Sequence, residues 1–285
     1  MVLAGIVAVT ATACGFIYDP DQLGSSACTD CDASRNDVRN SAHDTDAGGS
    51  AQEASDGPLR RGCPYLEPVA FCRDFDDGKP FDTSFTKSTS PGGSLSVSPD
   101  SYSPPRSFVA SVPAAGVGAP QRLASMYKQF NDVVAGGGPT DIRFAANIQV
   151  EQYDTGQLVP VVNVFFGDAG SADEHYISLQ LADDRAYVVE AQTNPRLQYV
   201  FPFGQVPPVG RGEWPRIDIH LDTISRRISV TLDTGSGPQN VVDGTLHLES
   251  WNRPHPPLLI IGVGNVDYAG SALRVGFDDI VFDMN

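Results

Sequence analysis

The sequence contains little lysine and no cluster of basic residues. Only Lys79, Lys87 and Lys128 occur among 285 residues, and the formal net charge is −16. The longest runs of consecutive basic residues are the arginine pairs at 60–61 and 226–227. Because phosphate backbones are bound mainly by clustered Lys and Arg, this composition excludes a nucleic-acid partner.

Long apolar runs are also missing, and none approaches the ~20 residues that a membrane-spanning helix needs. Glycine and proline are abundant instead, with 28 and 22 residues. Both residue types interrupt helices and are common in turns. The composition therefore favours short strands joined by turns over helical bundles or coiled coils.

The N-terminal residues 1–14 have the pattern of an export signal. Residues 2–13 are apolar or small, a length that is too short to span a membrane but typical of a signal-peptide core. The end of this stretch, Ala11-Thr12-Ala13-Cys14, resembles the bacterial lipobox, in which the cysteine carries a lipid anchor. An ordinary signal cleaved near Ala13 is the alternative.

The lipobox resemblance makes Cys14 the expected lipidation site and a membrane surface the expected partner. Lipoproteins that stay at the inner membrane carry Asp after the lipidated cysteine, and this chain has Gly15 there. The resemblance therefore implies an exported protein of the cell envelope, anchored at the outer membrane.

Four cysteines follow Cys14, and they are Cys28, Cys31, Cys63 and Cys72. An even number fits two disulfides in an oxidising compartment. The CxxC spacing of the first pair also suits redox and zinc sites, but its polar, low-complexity surroundings supply neither a βαβ unit nor a second ligand pair. We therefore expect all four to form disulfides.

Residues 15–62 have the composition of a disordered linker. They contain nine acidic residues, four arginines and few large hydrophobic residues. Such a segment cannot bury enough apolar area to offset its chain entropy. We predict a flexible tether spanning about 35 to 40 Å between the signal segment and a head domain, residues 63–285.

Alternation of apolar and polar residues recurs throughout the head domain. It is clearest over 141–150 and returns near 177–181, 217–221, 228–232 and 273–277. These patterns predict amphipathic strands. Two continuously apolar runs, Val159–Phe166 and Leu258–Val263, predict strands buried on both faces.

One segment, Leu123–Phe130, fits both helical spacing and alternation, and we predict a strand there. Trp214, Phe165 and Phe166 lie in or beside predicted strands and are expected in the core. Ten or more short strands in roughly 220 residues are typical of an all-β sandwich or jelly roll.

Four strand-like segments carry a resemblance to a known superfamily. Phe71–Gly78 and Val275–Phe282 are similar to the opening and closing strands of concanavalin A-like (laminin G-like) lectin/glucanase domains. Glu213–Leu221 and Arg227–Asp233 resemble a hairpin typical of that superfamily. The resemblance implies a jelly-roll β-sandwich over residues 63–285, with its first and last strands paired. It implies a fold and leaves the function open.

Pairing of the first and last strands would bring several carboxylates together. The candidates for a structural Ca²⁺ site are Asp74, Asp76 and Asp278, with Asp77 and Asp279 beside them. Hard cations such as Ca²⁺ prefer oxygen ligands. Asp also clusters in turns because it bonds its own main chain, which is the alternative explanation.

A catalytic motif is harder to find. Glycosidases on this fold resemble one another in a Glu-x-Asp-x-(x)-Glu strand motif, which the sequence lacks, and Tyr127–Phe130 does not match alginate-lyase motifs. The nearest substitute is Asp218-x-His220-x-Asp222, with His247-x-Glu249 on an expected neighbouring strand. Alternate polar residues also mark the solvated side of any amphipathic strand.

Sugar binding needs aromatic faces beside planar polar side chains. The best candidate is Trp251-Asn252-Arg253 in a proline-rich segment, and Tyr153, Tyr176 and Tyr268 are further candidates. The sequence thus predicts an exported surface lipoprotein whose non-catalytic β-sandwich binds glycan or another extracellular partner. A glycoside hydrolase on the same fold and a structural protein-interaction module are the alternatives.

Overall fold

The fold is described from a computed structural model of the chain. The described residues are 71–76, 84–90, 92–116, 118–130, 139–152, 158–166, 174–182, 185–194, 197–206, 212–247, 256–266, 270 and 272–285. The signal segment, the tether, four of the five cysteines and the Trp251-Asn252-Arg253 segment lie outside them. Cys72 lies within them, on the first strand.

The described part of the chain forms fifteen β-strands. They are β1 (Phe71–Arg73), β2 (Thr86–Thr89), β3 (Ser94–Ser98), β4 (Ser107–Val112), β5 (Arg122–Gln129), β6 (Asp141–Gln152), β7 (Val159–Phe166), β8 (Glu174–Ala182), β9 (Arg185–Asn194), β10 (Leu197–Val206), β11 (Arg216–Asp222), β12 (Arg227–Asp233), β13 (Gln239–Thr245), β14 (Leu258–Val266) and β15 (Leu273–Met284).

The strands build two antiparallel sheets, which we call sheet A and sheet B. Sheet A has the order β13-β12-β11-β6-β15-β4-β3, and β1 also pairs with β15. Sheet B has the order β10-β9-β8-β7-β14-β5-β2. Apolar side chains from both sheets form one core cluster between them. The predicted all-β sandwich of jelly-roll type is confirmed.

Alternation along the strands determines which side chains enter the core. On β11, Ile217, Ile219 and Leu221 are buried, and the polar residues between them are partly exposed. Successive side chains of a strand point to opposite faces, so an alternating sequence covers the core on one side only. The predicted hairpin of β11 and β12 is confirmed by continuous pairing from Arg216 to Asp222.

The two continuously apolar runs become β7 and β14, which lie next to each other inside sheet B. Most of their side chains are buried on both faces, as predicted. The ambiguous segment is the strand β5, which pairs with β14. Its neighbours therefore favour the extended form over the helical one.

The first and last strands of the described head pair as expected, with Phe71 opposite Phe282. The register between β15 and β6 shifts between Asp278 and Val281. Within this bulge Asp279 has φ +48°, a left-handed conformation that Asp tolerates better than most residues. In the described residues we find no apolar helix long enough to cross a membrane.

Candidate functional site

The predicted catalytic residues lie on the outward side of β11, but each has its own structural partner. Arg143 on β6 donates from Nε to both carboxylate oxygens of Asp218, at 3.0 and 2.9 Å. His220 Nε2 lies 2.6 Å from Asp141 Oδ2. These are cross-strand pairs on a solvated sheet surface, where an ion pair contributes about 0 to 1 kcal/mol.

Asp222 closes the turn between β11 and β12. Its Oδ1 accepts hydrogen bonds from the backbone N–H groups of Ile224 and Ser225, at 2.9 and 2.8 Å. Hydrogen bonds from the Ser225 side chain and backbone hold the pKa of this carboxyl below its usual value. Asp222 therefore has the role of a turn residue.

His247 follows β13 and bonds Glu190 of sheet B, away from His220. The backbone N–H of His247 donates to Glu190 Oε2 at 2.7 Å, and His247 Nδ1 lies 3.2 Å from the same oxygen. Glu249 lies outside the described residues. The structure thus does not bring the sequence-predicted acid and base groups into one cleft.

Trp214 packs on the outward side of sheet A, which corrects the expectation of a core tryptophan. Gly276 alternates with the core residues Val275 and Phe277, so its position faces outward. A Cβ built on Gly276 would lie 2.8 Å from Trp214 Cη2. Phe166 is in the core as expected, whereas Phe165 faces outward from sheet B.

The C-terminal carboxylates of the predicted calcium site are buried and bonded to protein groups. Asp278 is fully buried, and its Oδ2 accepts from the backbone N–H of Ser103 at 2.8 Å. The Ser103 hydroxyl lies 3.1 Å from Asp278 Oδ2 and 2.8 Å from Asp279 Oδ1. Asn147 Nδ2 donates to Asp279 Oδ2 at 3.2 Å.

Burial, together with the nearby Asp279 carboxylate, raises the pKa of Asp278 to about 8. The Ser103 hydroxyl has one hydrogen and lies between two carboxyl groups. Both contacts can be full hydrogen bonds at the same time only if one of the two carboxyl groups carries a proton. The geometry and the raised pKa agree that Asp278 is protonated near neutral pH.

The N-terminal carboxylates of the predicted calcium site, Asp74 and Asp76, accept backbone hydrogen bonds of the kind found in turns. The backbone N–H of Asp76 donates to Asp74 Oδ1 at 3.2 Å, and Asp76 Oδ1 accepts from the Arg106 N–H at 3.0 Å. Asp77 lies outside the described residues. Within the described ranges, no group of three or more His, Cys, Asp or Glu side chains is placed to hold a metal ion. The contacts match the turn explanation of this segment.

A different surface, the outward side of sheet B, combines aromatic and polar side chains in register. We call its two best-defined rows the aromatic row and the central row. The aromatic row is Gln129, Leu258, Phe165, Tyr176 and Ala191. The central row is Thr86, Tyr127, Ile260, Asn163, Ser178 and Val189. The central row crosses six strands, about 24 Å at the usual strand spacing.

The side chains of these rows alternate with core residues, so they face away from the core. Even so, Tyr176, Ser178 and Val189 are buried. The Ser178 hydroxyl has no hydrogen-bond partner. Other parts of the same chain therefore cover these three residues, and the buried unpaired hydroxyl carries a desolvation cost.

Aromatic rings lie beside the polar groups of this surface. The Phe165 and Tyr176 rings pack with centroids 4.9 Å apart. Tyr127 is 37% exposed, and Asn163 is 8% exposed. Gln180 and Tyr187 form the next pair in register on the same side. Both rows and this pair contain only uncharged side chains.

Tyr176, one of the sequence candidates for sugar binding, lies in the aromatic row but is buried, and the sequence does not indicate the surface as a whole. Asn163 is the one polar residue in the otherwise apolar run Val159–Phe166. A polar residue inside a strand predicted to be buried on both faces was the available signal. Neighbouring strands supply the rest of the surface, and their register is not visible in the sequence.

No protein-family model matches this sequence, and no curated protein matches it. Solved structures do resemble the fold. The cellulose induced protein Cip1 superimposes with a TM-score of 0.51 at 15% identity, covering 74% of this chain and 96% of that one. The PL-14 alginate lyase from Aplysia kurodai gives a TM-score of 0.53 at 12% identity, covering 67% and 87%.

At these identities the likeness shows the fold alone. It places the described part of the chain in the class of jelly-roll β-sandwich modules, consistent with the concanavalin A-like type. The activity of such a module depends on its own side chains.

Proposed function

We propose that the head domain is a non-catalytic glycan-binding module and that it binds through the outward side of sheet B. The observation that carries this proposal is the uncharged surface on which the exposed Tyr127 ring and the half-buried Phe165 ring lie in the same rows as Asn163 and Tyr176. Aromatic faces pack against the apolar faces of sugar rings, and amides and hydroxyls bond sugar hydroxyl groups. A jelly-roll fold shared with an alginate lyase supports the same class of ligand.

Binding is favoured over hydrolysis by the chemistry of the same surface. Glycan hydrolysis uses a pair of carboxyl groups that flank the reacting bond. The two rows contain no Asp, Glu, His or Lys. The acidic and histidine candidates lie instead on sheet A, in cross-strand pairs or a turn.

The decisive experiment removes the exposed ring of the central row. Binding of the purified full chain to a panel of soluble polysaccharides is measured by isothermal titration calorimetry. We expect Tyr127→Ala to weaken glycan binding about fivefold to tenfold, since an aromatic contact contributes about 1 kcal/mol. Because the Tyr127 side chain is 37% exposed, the variant should keep the wild-type melting temperature within a few degrees.

Ile224→Ala is the matched control, because it removes an exposed apolar side chain from the β11–β12 turn of sheet A. It should bind like the wild type. The proposal fails if the wild type binds no polysaccharide in the panel, or if Tyr127→Ala binds as tightly as the control. Recovery of envelope proteins without any glycan affinity would favour the structural-module alternative.

A further inference from the structure

We infer that the outward side of sheet B takes an uncharged glycan and that Asn163 and Gln180 bond its hydroxyl groups. This inference rests on the proposed function and narrows it to a ligand class. Three observations carry it, namely the distribution of charge between the two sheets, the burial of the surface and the placement of the amides.

Charged side chains are concentrated on the outward side of sheet A. Three arginine–carboxylate pairs lie there, Arg143–Asp218, Arg227–Asp243 and Arg274–Glu151, together with His220–Asp141. On the corresponding side of sheet B, charged positions lie at strand ends, Glu174 at the start of β8 and Arg185 at the start of β9, and none lies in the two rows or in the Gln180–Tyr187 pair. The two outer surfaces of one sandwich therefore have different chemistry.

Three of the four lysine and arginine residues of sheet B in the described part of the chain lie away from these rows, whereas Arg185 is exposed on the same outward side, two residues before Tyr187. The Lys128 ammonium lies 5.1 and 5.4 Å from the centroids of the Phe71 and Phe130 rings, at the core side of β5. Lys87 is opposite the core residue Met126. Arg122 is buried and bonds the carbonyl of Pro113. Arg185 is at the β8–β9 turn, opposite Ala182.

An acidic polysaccharide is a poor match for this surface. Each of its carboxylates would lose water against a shielded surface whose rows supply no cation, at a cost of several kcal/mol per charge. The net charge of −16 adds a long-range repulsion. Uncharged sugars meet neither penalty, because their hydroxyl groups can exchange water for amide and hydroxyl partners.

Asn163 is placed to make those hydrogen bonds. It lies between Ile260 and Ser178 in the central row, and its amide offers two donors and one acceptor. Gln180 lies two residues beyond Ser178 on the same side of β8 and is half-buried. Tyr127 on β5 and Tyr187 on β9 lie on either side of this polar group, so aromatic rings flank the two amides.

The test compares ligand classes with the full-length protein. Calorimetric titrations use oligosaccharides of glucose, mannose and xylose as neutral ligands, and oligomers of alginate and galacturonate as acidic ligands, at 20 and 200 mM NaCl. We expect at least one neutral ligand to bind, with a Kd that changes less than about twofold with salt. We expect the acidic ligands to bind at least about tenfold more weakly.

Two variants test the residues. Asn163→Asp keeps the shape of the side chain, removes its donors and adds a negative charge, and should weaken neutral binding at least about tenfold. Gln180→Lys adds a cation to the half-buried edge of the surface and should raise affinity for the acidic oligomers about fivefold. Thr231→Lys, which places the same cation on the outward side of sheet A, should leave both affinities unchanged.

The outcomes separate this inference from the proposed function. If acidic oligomers bind more tightly than neutral ones and Tyr127→Ala abolishes this binding, the proposed glycan-binding function stands and the assignment to uncharged glycans is overturned. Absence of binding to either class would overturn both. If Asn163→Asp folds and binds neutral oligosaccharides as tightly as the wild type, the role of Asn163 is overturned. If Asn163→Asp does not fold, the same measurement is made with Asn163→Ser.

Discussion

Asp278 has the most perturbed environment of any single carboxyl that the structure resolves. It is fully buried at the bulge of β15, and its pKa rises to about 8 because of burial and the adjacent Asp279 carboxylate. Ser103 bonds both carboxyl groups and so attaches the segment before β4 to the last strand. With this pKa Asp278 is mainly protonated at neutral pH, which lowers the negative charge of the cluster.

The protonated Asp278 makes stability fall as pH rises. The unfolded chain has the ordinary pKa of 3.8, so between about pH 4 and pH 8 the folded state holds a proton that the unfolded state releases. The stabilisation is complete below pH 4 and is lost as pH rises through 8. Between these pH values the unfolding free energy falls with a slope that approaches about 1.4 kcal/mol per pH unit.

Asp278→Asn should remove this slope. The amide leaves one N–H of Ser103 or Asp279 without an acceptor, so the variant should also be about 1 to 3 kcal/mol less stable at pH 5. Urea unfolding of both proteins between pH 5 and pH 9 measures the difference in slope. Identical slopes would show that Asp278 is ionised throughout this range.

Gly276 is required by close packing against Trp214. The Cβ of an alanine there would lie 2.8 Å from the indole ring, closer than van der Waals contact allows. We expect Gly276→Ala to lower the unfolding free energy by about 1 to 3 kcal/mol. Gly116→Ala is the control, since its Cβ would meet no atom within 4 Å. Equal stability of the two variants in thermal melts would contradict the packing argument.

At the scale of elements, periodicity explains which strands have one buried face and which have two. β11 alternates strictly and exposes its polar side, where Asp218 and His220 pair with β6. β7 is apolar throughout except Asn163 and is buried on both sides. The sequence pattern thus distinguishes a strand with one solvated face from a strand buried on both faces, without knowledge of strand pairing.

The pair His220–Asp141 on β11 and β6 is expected to matter little for stability or binding. Both side chains are more than 40% exposed, and such pairs contribute about 0 to 1 kcal/mol. His220→Asn should shift the melting temperature by less than about 4 °C and leave glycan affinity unchanged. A loss of glycan affinity in this variant would move the binding site to sheet A and revive the alternative of catalysis there.

At the scale of the whole chain, the anchor and the tether remain predictions from residues 1–62, outside the described part. We propose that Cys14 carries a lipid and that the head is held at the outer membrane. Growth of the producing bacterium with a fatty-acid analogue should label the full chain, and Cys14→Ser should abolish the label. Labelled Cys14→Ser protein, or an unlabelled wild type whose mature N-terminus lies after Ala13, would contradict the anchor.

The sequence alone determined the all-β class and most strand positions, because alternation and turn residues act locally and recur in every strand. The pairing of the first and last strands was implied by the resemblance to a known superfamily. The sequence also pointed to Tyr176. It placed Trp214 in the core and grouped Asp218, His220 and Asp222 with His247, and both expectations failed for the same reason. The spacing of residues along one strand shows which side chains share a face of that strand, but it does not show which residues of other strands lie beside them.

Only the tertiary structure decided which residues meet. The register of six strands brings Tyr127, Asn163 and Tyr176 onto one surface, although they are far apart in the chain. The bulge in β15 buries Asp278 and Asp279 against Ser103, an environment that no sequence pattern indicates. Burial and strand register depend on contacts between segments that are distant in the sequence, and a local sequence pattern carries no information on the energies of those contacts.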